Sequence, residues 1–106
     1  MTKENPMKIA LLLTSTLLMS ASAFANPKLA DEKGCLACHA VDAKRIGPSF
    51  KDVAAKYADD KKAVATLAAK VRKGGGGVWG TIPMPANTQV SEADAKKLVE
   101  WVLTAK

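Results

Sequence analysis

Two cysteines and the only histidine of this 106-residue chain fall within five positions, Cys35-Leu36-Ala37-Cys38-His39. No other feature limits the fold so strongly. Two cysteines three apart lie on one side of a helical turn, and a histidine four residues after the first joins them there. C-x-x-C-H is the attachment signature of a c-type haem. Both thiols can form thioethers to the edge of one porphyrin, and His39 can present a ring nitrogen to the iron. With both thiols used in this way, no disulfide is expected. A thioredoxin-like redox pair would need a βαβ pattern around the motif, and the sequence shows none. A structural zinc site needs four protein ligands, one more than this cluster supplies.

The chain is also short for an unaided core. Lys3 and Lys8 form a positive start, Ile9 to Met19 is apolar apart from small hydroxyl residues, and Ala23-Phe24-Ala25 is a small-x-small cleavage sequence. This pattern predicts a secretory signal peptide over residues 1–25, too short and wrongly flanked for a stable membrane span. Translation from Met7 would leave a compact signal of the same kind. Residues 26–106 then form one domain, small enough to gain from a bound group. Without Lys3, Lys8 and Glu4 the balance is 14 Lys/Arg against 9 Asp/Glu, a net charge of +5. The basic residues are spread among acids and aromatics are few. That favours acidic partners or a negatively charged surface over nucleic acid.

Helical periodicity recurs along the domain. Asn26-Pro27 reads as an N-cap and first helical position, with Leu29 and Ala30 as apolar contacts. Phe50, Val53, Ala54 and Tyr57 share one face of a second helix, and Val64, Leu67, Ala68 and Val71 one face of a third, over about 61–73. Asp59 and Asp60 are placed to cap that third helix. Lys70, Arg72 and Lys73 suit its negative end, and Gly74 to Gly77 end it and open a flexible loop. Ser91 caps a last helix carrying Ala95, Leu98, Val99 and Val102, with Trp101 alongside. No convincing strand alternation occurs. The fold class is all-α, four short helices and one long ordered loop.

That loop contains "GTIPMPAN", residues 80–87. Pro85 restricts Met84 and Pro83 fixes the approach to it, an unusual setting for the most adaptable apolar side chain. Met1, Met7 and Met19 leave with the signal peptide, so Met84 is the only thioether in the domain. Since His39 is the only histidine, bis-histidine ligation within one chain is excluded. His/Met is the axial pair of electron-transfer cytochromes c. Met84 is thus the candidate sixth ligand, opposite His39.

The segments "GCLACHA", "GPSFKDVAAKYA", "GGVWGTIPMPAN" and "AKKLVEWVLTAK" occur in this order, and together the domain resembles the short class I bacterial cytochromes c of the c-551/c-552 type. The resemblance implies a compact class I fold of four helices around one covalently bound haem c, with the first and last helices packed together. It implies that the Pro48 carbonyl orients His39 and that Trp79 reaches a haem propionate through its indole N–H. It also implies that Asn87 hydrogen-bonds near the methionine. Lys70 falls where some relatives have a propionate-binding arginine, whose planar fork lysine lacks. Ala86 stands where relatives often carry another proline, and four consecutive glycines suggest a looser loop.

The function implied is a soluble, monomeric one-electron shuttle in the periplasm of a Gram-negative bacterium, not an enzyme. Implied partners are a nitrite reductase, a cytochrome c peroxidase, a terminal oxidase or a quinol-oxidising complex. A haem-based gas sensor with displaceable Met84 is the alternative. A small peroxidase ranks last, because no distal histidine or acid/base partner is evident.

Overall fold

The computed structural model describes residues 22–106. Four α-helices form: α1 (Ser22–Glu32), α2 (Phe50–Lys56), α3 (Ala63–Lys73) and α4 (Glu92–Val102). A 3-10 turn, Cys35–Ala37, follows α1. Among the described residues there is no strand. A single isolated antiparallel bridge pairs Gly75 with Met84. No helix of the described residues is long and apolar enough to cross a membrane. The signal-peptide features at Lys3, Lys8 and Ile9 to Met19 lie outside the described residues.

The first helix differs from the sequence expectation. Pro27 lies inside α1 rather than at its start, because in the full chain residues 22–26 extend the helix upstream of it. Proline removes one helical N–H there, a cost that falls only on the upstream turn. The starts of α2 and α4 follow their capping serines, whereas α3 begins at Ala63 with Lys62 at its N-cap and no side-chain cap, later than Asp59 and Asp60 predict. Ser49 Oγ accepts from Asp52 N and Ser91 Oγ from Asp94 N, both at 3.1 Å. These bonds satisfy N–H groups that a helix start would otherwise leave orphaned. Asp60 Oδ1 accepts from Lys62 N at 2.8 Å, just ahead of α3.

Helix α4 is the hub. It packs on α1, α2 and α3, and its Ala95, Leu98 and Val99 are buried. Ala30 of α1, Val90, Ala95 and Leu98 form the tightest cluster, with Leu29, Leu36, Val71 and Trp101 packed against it. The first and last helices therefore pack together, as the resemblance implied. Phe50, Val53 and Ala54 bury the inner face of α2. The core nevertheless stops short of filling the domain. Val64, Leu67, Ala68 and Val71 of the α3 stripe are only partly buried, and Leu67 and Val71 instead line a large cavity.

Candidate haem site

The cavity has a volume of about 600 Å³, within the range of small-molecule and cofactor sites. Cys35, Cys38, His39, Pro48, Met84, Lys70 and Trp79 all line it. Of the sequence-predicted site residues only Asn87 stands outside the lining. The structure thus brings together groups forty-nine positions apart in the chain, from Cys35 to Met84.

The cysteines are presented by local backbone. Gly34 adopts φ 83°, a left-handed conformation that suits glycine and ends the path of α1. The 3-10 turn follows, with Cys38 N donating to Cys35 O at 3.3 Å and His39 N to the same carbonyl at 3.0 Å. Side chains three apart eclipse in a 3-10 turn, so Cys35 and Cys38 share a side more closely than in an α-helical turn. Both side chains are half-buried, and no disulfide joins them. Burial pushes the Cys35 thiol above its ordinary range, partly offset by a backbone hydrogen bond.

The His39 ring is held from three directions. Its Nδ1 lies 2.8 Å from Pro48 O. A carbonyl can only accept, so Nδ1 donates and Nε2 is the ring nitrogen left to face a metal. The Phe50 ring stacks on it, with centroids 5.2 Å apart and planes at 24°. Trp101 of α4 meets Phe50 edge-on at 5.5 Å, which ties the imidazole to the hub helix. The third constraint is the absence of a side chain: a Cβ on Gly47 would collide with His39 Cε1. The loop bearing Gly47 and Pro48 is fixed by Gly47 N donating to Cys38 O at 2.8 Å and Arg45 Nη1 to Leu36 O at 3.1 Å.

Met84 is held through its backbone. Met84 N donates to Gly75 O at 2.8 Å and Gly75 N to Met84 O at 3.0 Å. The glycine run, expected to be a flexible loop, is the partner that fixes the methionine. Asn87 secures the far side. Its Nδ2 donates to Val71 O at 2.9 Å and to Pro85 O at 3.4 Å, and its backbone N donates to Val71 O at 3.1 Å. The loop after Met84 is therefore tied to the last turn of α3, even with Ala86 in place of a proline.

Residues 26–106 match the family Cytochrome c. The chain belongs to the cytochrome c family. It is 50% identical over 95 residues to cytochrome c-552 of Hydrogenobacter thermophilus, covering 90% of this chain and 96% of that protein. To cytochrome c-551 of Pseudomonas aeruginosa it is 48% identical over 99 residues, 92% of this chain and 94% of that protein. Among solved structures, the crystal structure of Nitrosomonas europaea cytochrome c552 superposes with a TM-score of 0.74 at 54% identity. That match covers 76% of this chain and 99% of the other.

Cytochromes c of this family are small electron carriers with covalently bound haem c, and this cytochrome has the two cysteines of the C-x-x-C-H attachment sequence. The cavity fits that group on its own chemistry. An imidazole whose Nδ1 is committed to Pro48 O and a soft thioether are suitable donors to haem iron. The walls are apolar: Ile46, Val78, Trp79 and Ile82, all substantially exposed, border the cavity. Its charged lining is mainly basic, with Lys44, Arg45 and Lys70 against Asp52 alone. Lys56 Nζ sits 5.7 Å from the Trp79 ring centroid, within cation–π range.

Sequence reasoning missed several supports of this site. The sequence alone gives Gly47 no role beside His39, reads the glycine run as slack, and places Phe50 and Trp101 only with helix faces. Of these, only the Gly47-Pro48 pair carried a local signal, a rigid turn entering α2.

Proposed function

We propose that this cytochrome is an exported one-electron carrier in which Cys35 and Cys38 hold the haem by thioether bonds and His39 and Met84 are its axial ligands. The observation that carries the reading is the convergence of both thiols, the carbonyl-oriented imidazole and the domain's one thioether on a single cavity. The bound haem supplies the one-electron change. The protein keeps its surroundings the same in both oxidation states: the Pro48 carbonyl and Phe50 ring orient His39, and the bridge to Gly75 holds Met84. Little then rearranges when an electron moves, and Met84 closes the site to small ligands.

Trp79 and Lys70 line the cavity and are the proposed propionate partners, Trp79 through its indole N–H and Lys70 as a point charge. Asn87 acts through the loop, anchoring the segment after Met84. Export with cleavage after Ala25 would restart α1 at Asn26-Pro27, a cap and a first-turn proline, and would place the carrier in the periplasm. The basic rim of Lys44, Arg45, Lys56 and Lys70 favours acidic redox partners at salt-sensitive rates. A nitrite reductase, a peroxidase, a terminal oxidase or a quinol-oxidising complex would be of the appropriate kind.

Optical spectra of the purified exported protein test the reading. A low-spin ferrous spectrum and the weak far-red ferric iron–thioether band, lost in Met84→Ala, are expected. A high-spin ferric spectrum without that band, with rapid carbon monoxide binding, would turn the reading towards a gas-binding cytochrome.

A further inference from the structure

The four glycines from Gly74 to Gly77 are not equivalent. A Cβ on Gly74 would stand 2.5 Å from Met84 O, 2.8 Å from Ala86 N and 2.9 Å from the Pro85 carbonyl carbon. All three are backbone atoms, which cannot swing aside as a side-chain end can. A Cβ on Gly76 would stand 3.2 Å from Pro83 Cα, a milder conflict with the residue just before Met84. A Cβ on Gly77 would meet nothing within 4 Å. Backbone conformation divides them differently. Gly74 and Gly77 have φ of 75° and 92°, both in the region that favours glycine, whereas Gly76 has no positive φ.

We infer that Gly74 and Gly76 are positioning residues for the iron's methionine ligand. Their bare Cα atoms let the segment after α3 lie directly against residues 83–86, and Gly75 completes the seat with its pair of hydrogen bonds to Met84. The inference rests on the Met84 ligation proposed above and deepens it. A thioether carries no donor and accepts only weakly, and its three rotatable bonds make it adaptable. A hydrogen bond therefore orients it far less firmly than Pro48 orients His39. Its position has to be set by its own backbone, and the glycine template sets it. Gly77 serves a different purpose: it allows a left-handed turn whose N–H donates to Gly80 O at 3.1 Å, and a Cβ on it would meet no atom of residues 83–86.

The conformational and contact effects separate in a series of alanine variants, read on the purified haem-loaded protein. The readouts are the far-red ferric band, the carbon monoxide binding rate of the ferrous form and thermal stability. Gly77→Ala should lower stability while keeping the band and the exclusion of carbon monoxide. Gly76→Ala should leave φ unstrained yet raise the carbon monoxide rate a fewfold by raising the ligand-off population. In Gly74→Ala the rise should be roughly tenfold or more, with a weakened band. Should Gly74→Ala yield no haem-loaded protein, the contrast between Gly76→Ala and Gly77→Ala decides. Equal carbon monoxide rates across the glycine variants, or a larger effect at Gly77, would overturn the inference while leaving Met84 ligation intact. A far-red band that survives Met84→Ala would instead remove the ligation itself, and the inference with it.

Discussion

The two sides of the cavity hold His39 and Met84, the proposed iron ligands, by opposite means. On the first, the His39 ring itself is gripped: Pro48 O accepts from Nδ1, Phe50 stacks on the face, and Gly47 leaves room for the ring. On the second, the grip is on the Met84 main chain: the bridge to Gly75, the bare Gly74 and the Asn87 tie to Val71 hold its backbone. The difference follows from the side chains. Imidazole is planar and carries a second nitrogen, so a neighbour can fix both tautomer and orientation. A thioether offers neither, and a stiff loop with an anchored backbone replaces direct orientation. This resolves the odd placement of a flexible residue between two prolines. The side chain is adaptable, so everything beneath it is made rigid.

The comparison can be broken most sharply at Gly47. Gly47→Ala drives a Cβ into the imidazole, an overpacking conflict expected to cost about 1–3 kcal/mol. Thermal unfolding should fall by roughly 4–8 °C per kcal/mol for a domain of this size. If His39 holds the iron as proposed, its ring signals in the haem-loaded protein should change while the far-red thioether band persists. If unfolding is unchanged, the ring is not held by the closeness of Gly47.

The next effect lies on the methionine side. Asn87→Ala removes the Nδ2 donations to Val71 O and Pro85 O, while the Asn87 backbone N–H still donates to Val71 O. The expected loss is about 1–2 kcal/mol. Faster carbon monoxide binding by the ferrous protein should accompany it, because the freed segment follows Met84 directly. A stability loss with the carbon monoxide rate unchanged would separate the Asn87 anchor from the proposed role of Met84.

A matched pair of caps sharpens the contrast further. Ser49→Ala and Ser91→Ala each delete one N-cap bond, worth about 1 kcal/mol. Ser49 adjoins Pro48 and Phe50 and is only 4% exposed, so its loss should also shift the reduction potential. Ser91, at the start of α4, should change stability alone. Potentiometry on the two variants, alongside their melting curves, distinguishes a site support from a plain helix cap.

Arg45→Ala should have the smallest effect, about 0.5 kcal/mol, since its bond to Leu36 O is solvent-exposed. Its loss also removes one positive charge from the rim. The rate with an acidic redox partner should therefore fall at low ionic strength and converge with the parent rate as salt screens the rim. A rate difference that persists at high salt would show that Arg45 acts through the loop and not through its charge.

Cys35, Cys38 and His39 were legible because their geometry is local: one turn of backbone puts them on one side, whatever surrounds it. The helices of residues 50–56, 63–73 and 92–102 were legible for a similar reason, as capping and four-residue periodicity act within a single element. Met84 was legible by elimination, being the domain's only thioether. The start of α1 was misjudged because Asn26-Pro27 is a good cap only when nothing helical precedes it. The glycine run was misread because glycine tolerates both disorder and close approach, and composition cannot tell which. Only the packed chain brings Gly74 against Met84 O, Gly47 against the His39 ring, and Trp101 behind Phe50. Each of these is a contact between separate segments, decided by where α3 and α4 set the loops. The sequence by itself therefore determined which groups could meet an iron, while the tertiary structure decided how firmly each is held.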